Sequence, residues 1–134
     1  MPAHFLATLP NFLSYLATAI VLLVAFVTIY LYVTPYDEIA LIRSNNTAAA
    51  ISLSGALLGF AMPIANVIAH SDTLLDLAVW GVIAGVVQLL AWGVARVALP
   101  QLQENIAAGR TAPATFVAAL SITVGLLNAA CMTY

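Results

Sequence analysis

Asn45-Asn46-Thr47-Ala48-Ala49-Ala50-Ile51-Ser52-Leu53-Ser54-Gly55-Ala56-Leu57-Leu58-Gly59-Phe60-Ala61-Met62-Pro63 decides how this chain is read. It opens on helix-capping residues: Asn46 or Thr47 can accept a hydrogen bond from an otherwise orphaned backbone N–H. It then runs through small side chains at helical spacing. Gly55 and Gly59 form a GxxxG pair, the pattern that lets two helices approach closely in lipid. Pro63 removes one backbone hydrogen bond inside the apolar run and predicts a kink. Gly55 and Gly59 are expected to face another helix, so that leucine at either would disturb assembly first.

The composition around this stretch requires a membrane. The 134 residues are 64% hydrophobic and 6% charged, with three basic and five acidic side chains. A soluble domain carries about 25% charged residues. A helix needs about 20 apolar residues to cross about 30 Å of hydrocarbon, and four such segments can be cut here. They run from about Phe12 to Val33, Thr47 to Ala69, Leu74 to Leu99 and Thr111 to Met132. Met1 to Asn11 reads as an interfacial lead-in, with Phe5, Leu6 and Leu9 resting on lipid. It lacks the basic flank of a signal peptide.

Between the spans, Thr34-Pro35 stops the first helix. Tyr36 to Ser44 reads as a short interfacial helix with Ile39, Ala40 and Ile42 toward lipid. His70-Ser71-Asp72-Thr73 is a tight turn, Pro100 ends the third span, and Gln101 to Arg110 is a second charged loop. Tyr15, Tyr30, Tyr32, Tyr36, Trp80 and Trp92 stand where interfacial aromatic belts would be. Arg43, Arg96 and Arg110 fall on one side of the membrane. The positive-inside rule then places both charged loops in the cytoplasm and both termini outside.

Thr47-Ala48-Ala49-Ala50 matches Thr111-Ala112-Pro113-Ala114 at an offset of 64 positions, and Pro35 matches Pro100 at 65. The expected fold is therefore all-α: one four-helix membrane domain of two parallel two-helix repeats, residues 12–69 and 74–132. Pro113 and Thr115 depart from the first copy's Ala49 and Ile51.

Every span carries one small or polar stripe and one bulky face. The stripes include Ser14, Thr18, Val21, Ala25, Thr28 and Tyr32 in span one, and Ser52, Gly59, Asn66 and His70 in span two. Span three offers Gly81, Gly85, Gln88 and Trp92; span four offers Ala118, Ser121, Gly125 and Asn128. These stripes would meet inside the bundle or at a subunit contact, with Gly55, Gly59, Gly81, Gly85 and Gly125 as packing points. Ser52, Asn66, Gln88 and Asn128 form the candidate polar pathway, with interhelical hydrogen bonding as the bland reading; Asn66 and Asn128 share a depth and would bond across helices. His70, Asp72 and Asp76 form a candidate outer acidic cluster able to take a cation or respond to pH. Its bland reading has Asp72 capping the third span and Asp76 following the helix dipole. Gln88 lies mid-span, and Arg96 can snorkel to the headgroups. Cys131 reads as a small packing residue. No nucleophile–base pair, phosphate loop or zinc spacing appears, so neither an enzyme, a cofactor nor a metal is expected. A basic patch for nucleic acid is likewise missing.

Thr34-Pro35-Tyr36-Asp37-Glu38, the Asn46 to Leu53 segment with Gly55 and Gly59, and Gly125-Leu126-Leu127-Asn128-Ala129-Ala130-Cys131-Met132 resemble the YjfL-type bacterial inner-membrane proteins, domain-of-unknown-function family 350. The resemblance covers nearly the whole chain. It implies a multi-pass inner-membrane location and two repeats of two helices, and supplies no catalytic residue. The function expected is a self-associating structural, interaction or membrane-stress-related component, homo-oligomeric, with a possible cytoplasmic protein partner at the loops of Arg43 and Arg110. The alternative is an oligomeric channel or transporter.

Overall fold

A computed structural model describes residues 2–34 and 37–132, with side chains from residue 6 onward. Within these the elements are all helical: α1 Pro2–Val33, α2 Glu38–Arg43, α3 Thr47–His70, α4 Leu74–Ala98, α5 Leu102–Ala107 and α6 Thr111–Cys131. Four of them, α1, α3, α4 and α6, are long and apolar enough to cross a membrane. Pro35 and Tyr36, read as a helix stop and as a belt residue, lie outside the described residues, as does the side chain of Phe5.

α1 is longer than the expected span, 32 residues rather than a helix from Phe12. At about 1.5 Å per residue it is ~48 Å long, well beyond the ~30 Å of hydrocarbon. Pro10, inside α1, leaves the Leu6 carbonyl without its helical N–H partner.

α3 is the centre of the bundle. Over its most apolar window 56% of residues are buried, against 11% for α1. Its partner is α6, and the two meet backbone to backbone: a Cβ on Gly55 would overlap the Ala118 backbone, one on Gly59 the Ser121 carbonyl, and one on Gly125 the Gly59 carbonyl. α4 lies across this pair. α1 packs on the outside of α3 and α4 with its large side chains, Leu22, Phe26 and Tyr30, and Phe26 stacks on Phe60 at 4.4 Å. The small and hydroxyl stripe of α1 faces away: Ser14, Val21, Ala25, Thr28 and Tyr32 are exposed, Tyr32 at 91%. So this stripe does not meet the others inside the bundle. The reason is size: α1 bridges a wide separation that only bulky residues fill. Its hydroxyls bond their own carbonyls one turn back, Ser14 to Pro10, Thr18 to Ser14 and Thr28 to Val24, so they face lipid with their donors satisfied.

The two charged loops each contain one short helix closed in the same way. In α2 the Asn45 N–H donates to Ile42 O at 3.0 Å and the Asn46 N–H to Leu41 O at 2.9 Å. In α5, Gly109 donates to Ile106 O at 3.0 Å and Arg110 to Asn105 O at 2.9 Å. Both are Schellman closures, with Asn45 at φ 70° and Gly109 at φ 83° in the left-handed position the motif requires. α5 was not anticipated from sequence, since Gln101 to Arg110 lacks a side-chain cap. Asn46 joins the loops. Its Oδ1 accepts from the Ala49 N–H at 3.0 Å and so caps α3, while its Nδ2 donates to Ile106 O and Ala107 O at 3.1 and 3.2 Å.

Several expectations change. Thr73, not Asp72, caps α4, accepting from the Asp76 N–H at 3.1 Å, because the Thr73 hydroxyl stands one residue before the first helical turn. Trp92 and Tyr30 are core residues, 4% and 2% exposed, not belt residues; their polar tips turn inward. Cys131 is exposed at the end of α6, beyond the packed part of the seam.

Candidate functional site

The most polar interior region starts at mid-span. Pro63 has no N–H, so the Gly59 carbonyl one turn before it is left without its helical partner. Gln88, 2% exposed on α4, supplies the missing donor: its Nε2 reaches Gly59 O at 3.1 Å and Ser121 O at 3.3 Å. One amide thus ties α4 to both helices of the seam, at the point where Gly125 lets the Gly59 carbonyl come closest to α6. Gln88 Oε1 is buried without a hydrogen-bond partner.

One turn further on, Trp92 faces Tyr30 edge-on with ring centroids 6.5 Å apart, and Tyr30 Oη lies 3.4 Å from Ser52 Oγ. Glu38, the first residue of α2, is 1% exposed and within electrostatic range of the Tyr30 phenol. Arg96, exposed at the rim, lies over the Trp92 ring at 5.5 Å, a cation–π contact. Together they make a buried carboxyl, phenol and hydroxyl at the end of the bundle that carries the arginines. Among the described residues no three His, Cys, Asp or Glu stand together as a metal site.

Sequence reasoning singles out Ser52 and Gln88, names Trp92 both in the inward stripe and in the belt, and passes over Glu38 and the burial of Tyr30. A signal existed for Glu38. It stands 64 positions before Leu102, each is the first residue of its short helix, and each is 1% exposed. The other short helix buries a leucine at its first position, so a buried acid at the first position of this one is the anomaly that marks this end.

The other named residues disperse. Asn66 donates from Nδ2 to Ala129 O at 2.8 Å and Met132 O at 3.2 Å, closing the far end of α6. It bonds backbone and not Asn128, whose Nδ2 is buried without a partner. The His70 ring nitrogen Nδ1 lies 2.9 Å from Asn66 O. Asp72 is exposed in the turn and Asp76 half-buried in the first turn of α4. A Cβ on Gly81 would meet the tip of Leu22, whereas one on Gly85 would sit at ordinary contact distance, 3.5 Å from Phe60. Arg43 is exposed, and exposed Arg110 donates to Asn105 Oδ1 at 2.8 Å.

These features agree with what the chain is similar to. The family model described as Domain of Unknown Function (DUF350) matches residues 4–132. The chain is 37% identical over 131 residues to the inner membrane protein YjfL of Escherichia coli strain K12, covering 98% of this chain and 99% of that one. It is 32% identical over 79 residues to the transmembrane protein YshE of Bacillus subtilis strain 168, 59% of each. No solved structure matches it. With a family model spanning nearly every residue and a relative aligned end to end, the chain belongs to the DUF350 family of membrane proteins.

Proposed function

We propose that the protein is a self-associating, non-catalytic component of a bacterial inner membrane, with α1 as the contact between copies. One observation carries this reading: the seam of Gly55, Gly59 and Gly125 is consumed inside the chain, while the stripe of Ser14, Thr18, Val21, Ala25 and Thr28 is turned mostly outward. Small residues favour close helix contacts in lipid. The inner-membrane location follows the named relative from Escherichia coli. The positive-inside rule then sets both termini outside and leaves Arg43 and Arg110 facing the cytoplasm, where a protein partner would bind. The two parallel units, 12–69 and 74–132, are part of the same reading, supported by the identical helix closures 64 positions apart. The channel alternative is not favoured: Ser52, Gln88 and Asn66 each hydrogen-bond across helices instead of lining a common path.

The test is crosslinking in membranes, in a Cys131→Ser background. Ala25→Cys should link two copies and Phe116→Cys, exposed on α6, should not. Links through Phe116→Cys alone, or through neither, would overturn the proposal.

A further inference from the structure

At the end of the bundle opposite the arginines, α1 stands off from the turn between α3 and α4. A cavity of about 430 Å³ opens there, within the ~300–1,000 Å³ usual for small-molecule sites. Its floor is apolar, made by Phe12 and Leu16 of α1 and Ile68 of α3, and these side chains continue onto the lipid-facing surface, 58%, 45% and 36% exposed. Its rim is polar: Asn11, Tyr15, Ser71 and Asp72. Tyr15 Oη donates to Ser71 O at 3.4 Å and holds the turn against α1. Because Thr73 caps α4, the Asp72 carboxylate is left for the rim, with no hydrogen-bond or ionic partner among the described residues.

The charge of the ligand follows from the rest of the chain. The three arginines lie at the other end of the helices, and there is no lysine. That is more than a Debye length away, so the local potential is set as acidic by Asp72 together with Asp76 in the first turn of α4. The oxygens of Asp72, Asn11, Ser71 and Tyr15 are acceptors, which suits an ammonium group with N–H donors better than a quaternary amine with none. The floor, continuous with hydrocarbon, calls for an apolar chain below that group. We infer that this cavity binds the headgroup of a primary-amine phospholipid, phosphatidylethanolamine, with the ammonium on Asp72 and the acyl chains along Leu16 and Ile68.

Native mass spectrometry of the full chain, released from bilayers containing equal parts phosphatidylethanolamine, phosphatidylcholine and phosphatidylglycerol, tests this. The first lipid should be retained about tenfold over the other two, the worth of one charge-assisted hydrogen bond. Asp72→Asn should erase the preference without changing thermal stability. Leu16→Trp, which fills the floor and leaves Asp72 intact, should lower retention as well and covers the case of an unstable Asp72 variant. Excess free phosphoethanolamine should not displace the lipid; displacement would mean that the site recognises a soluble amine instead. Equal retention of all three lipids, or a preference unchanged in both variants, would overturn the assignment.

Discussion

α6 and α1 both pack on α3, by opposite means. α6 comes close because glycine presents only backbone and alanine adds no more than a methyl group: Gly55 on Ala118, and Gly59 on Ser121 and Gly125. α1 stays further off and reaches across with rings and leucines, Phe26 on Phe60 above all. The difference shows at the edges. Apolar clefts flank α1, about 140 Å³ toward α4 and about 210 Å³ toward α3, whereas the α3–α6 seam is closed enough to bury a glutamine amide across it. In lipid there is no hydrophobic drive between helices, so close contact and interhelical hydrogen bonds carry association. The seam has both and α1 has mainly the first, in looser form. We therefore expect the α3, α4 and α6 core to outlast the attachment of α1.

Substitutions in the seam and in α1 should separate the two kinds of packing by graded amounts. The largest effect should come from Gly125→Leu, which drives a side chain into the Gly59 carbonyl. Its cost should reach or exceed the upper end of the ~1–3 kcal/mol typical of overpacking, because backbone cannot step aside; denaturant titration in detergent micelles reads it. Next is Gln88→Leu, which strands the Gly59 carbonyl. A loss of about 1–2 kcal/mol is expected, and Pro63→Ala in the same chain should recover part of it by restoring the helical N–H donor. A double-mutant cycle without coupling would refute the link between Pro63 and Gln88. Phe26→Ala should cost about 0.5–1.5 kcal/mol from the lost ring pair. It should raise protease sensitivity in α1 while α3 to α6 stay protected. Smallest on stability is Val21→Trp on the outward stripe, within about 0.5 kcal/mol, yet it should weaken crosslinking between copies.

The sequence carried the membrane architecture in plain form, because four long apolar segments and so few charges admit little else. Helix ends were legible where a capping residue stood in place, as at Asn46, and misread where two candidates were adjacent, as at Asp72 and Thr73. The glycine spacing indicated that α3 and α6 have close-packing faces, but not that these faces meet each other. That depends on which helices are neighbours, which no local pattern encodes. The same limit hid the direction of the α1 stripe. Small residues suit a helix contact and a lipid-facing surface with back-bonded hydroxyls equally well, and only the separation of α1 from α3 decides between them. Tyr30 sits at a helix depth where a belt would put it, so its burial is visible only in three dimensions, whereas Trp92 follows Gln88 by one turn on the same stripe and its burial is legible from that spacing. Glu38 was hidden by the loop around it, and only its register with Leu102 sets it apart.

The glycine seam builds the protomer and leaves assembly to α1. Gly59→Leu, followed by unfolding of the chain at a detergent dilution where it is monomeric, tests this most directly. A strongly destabilised monomer is expected. A monomer as stable as the unaltered chain, with only its self-association lost, would contradict it.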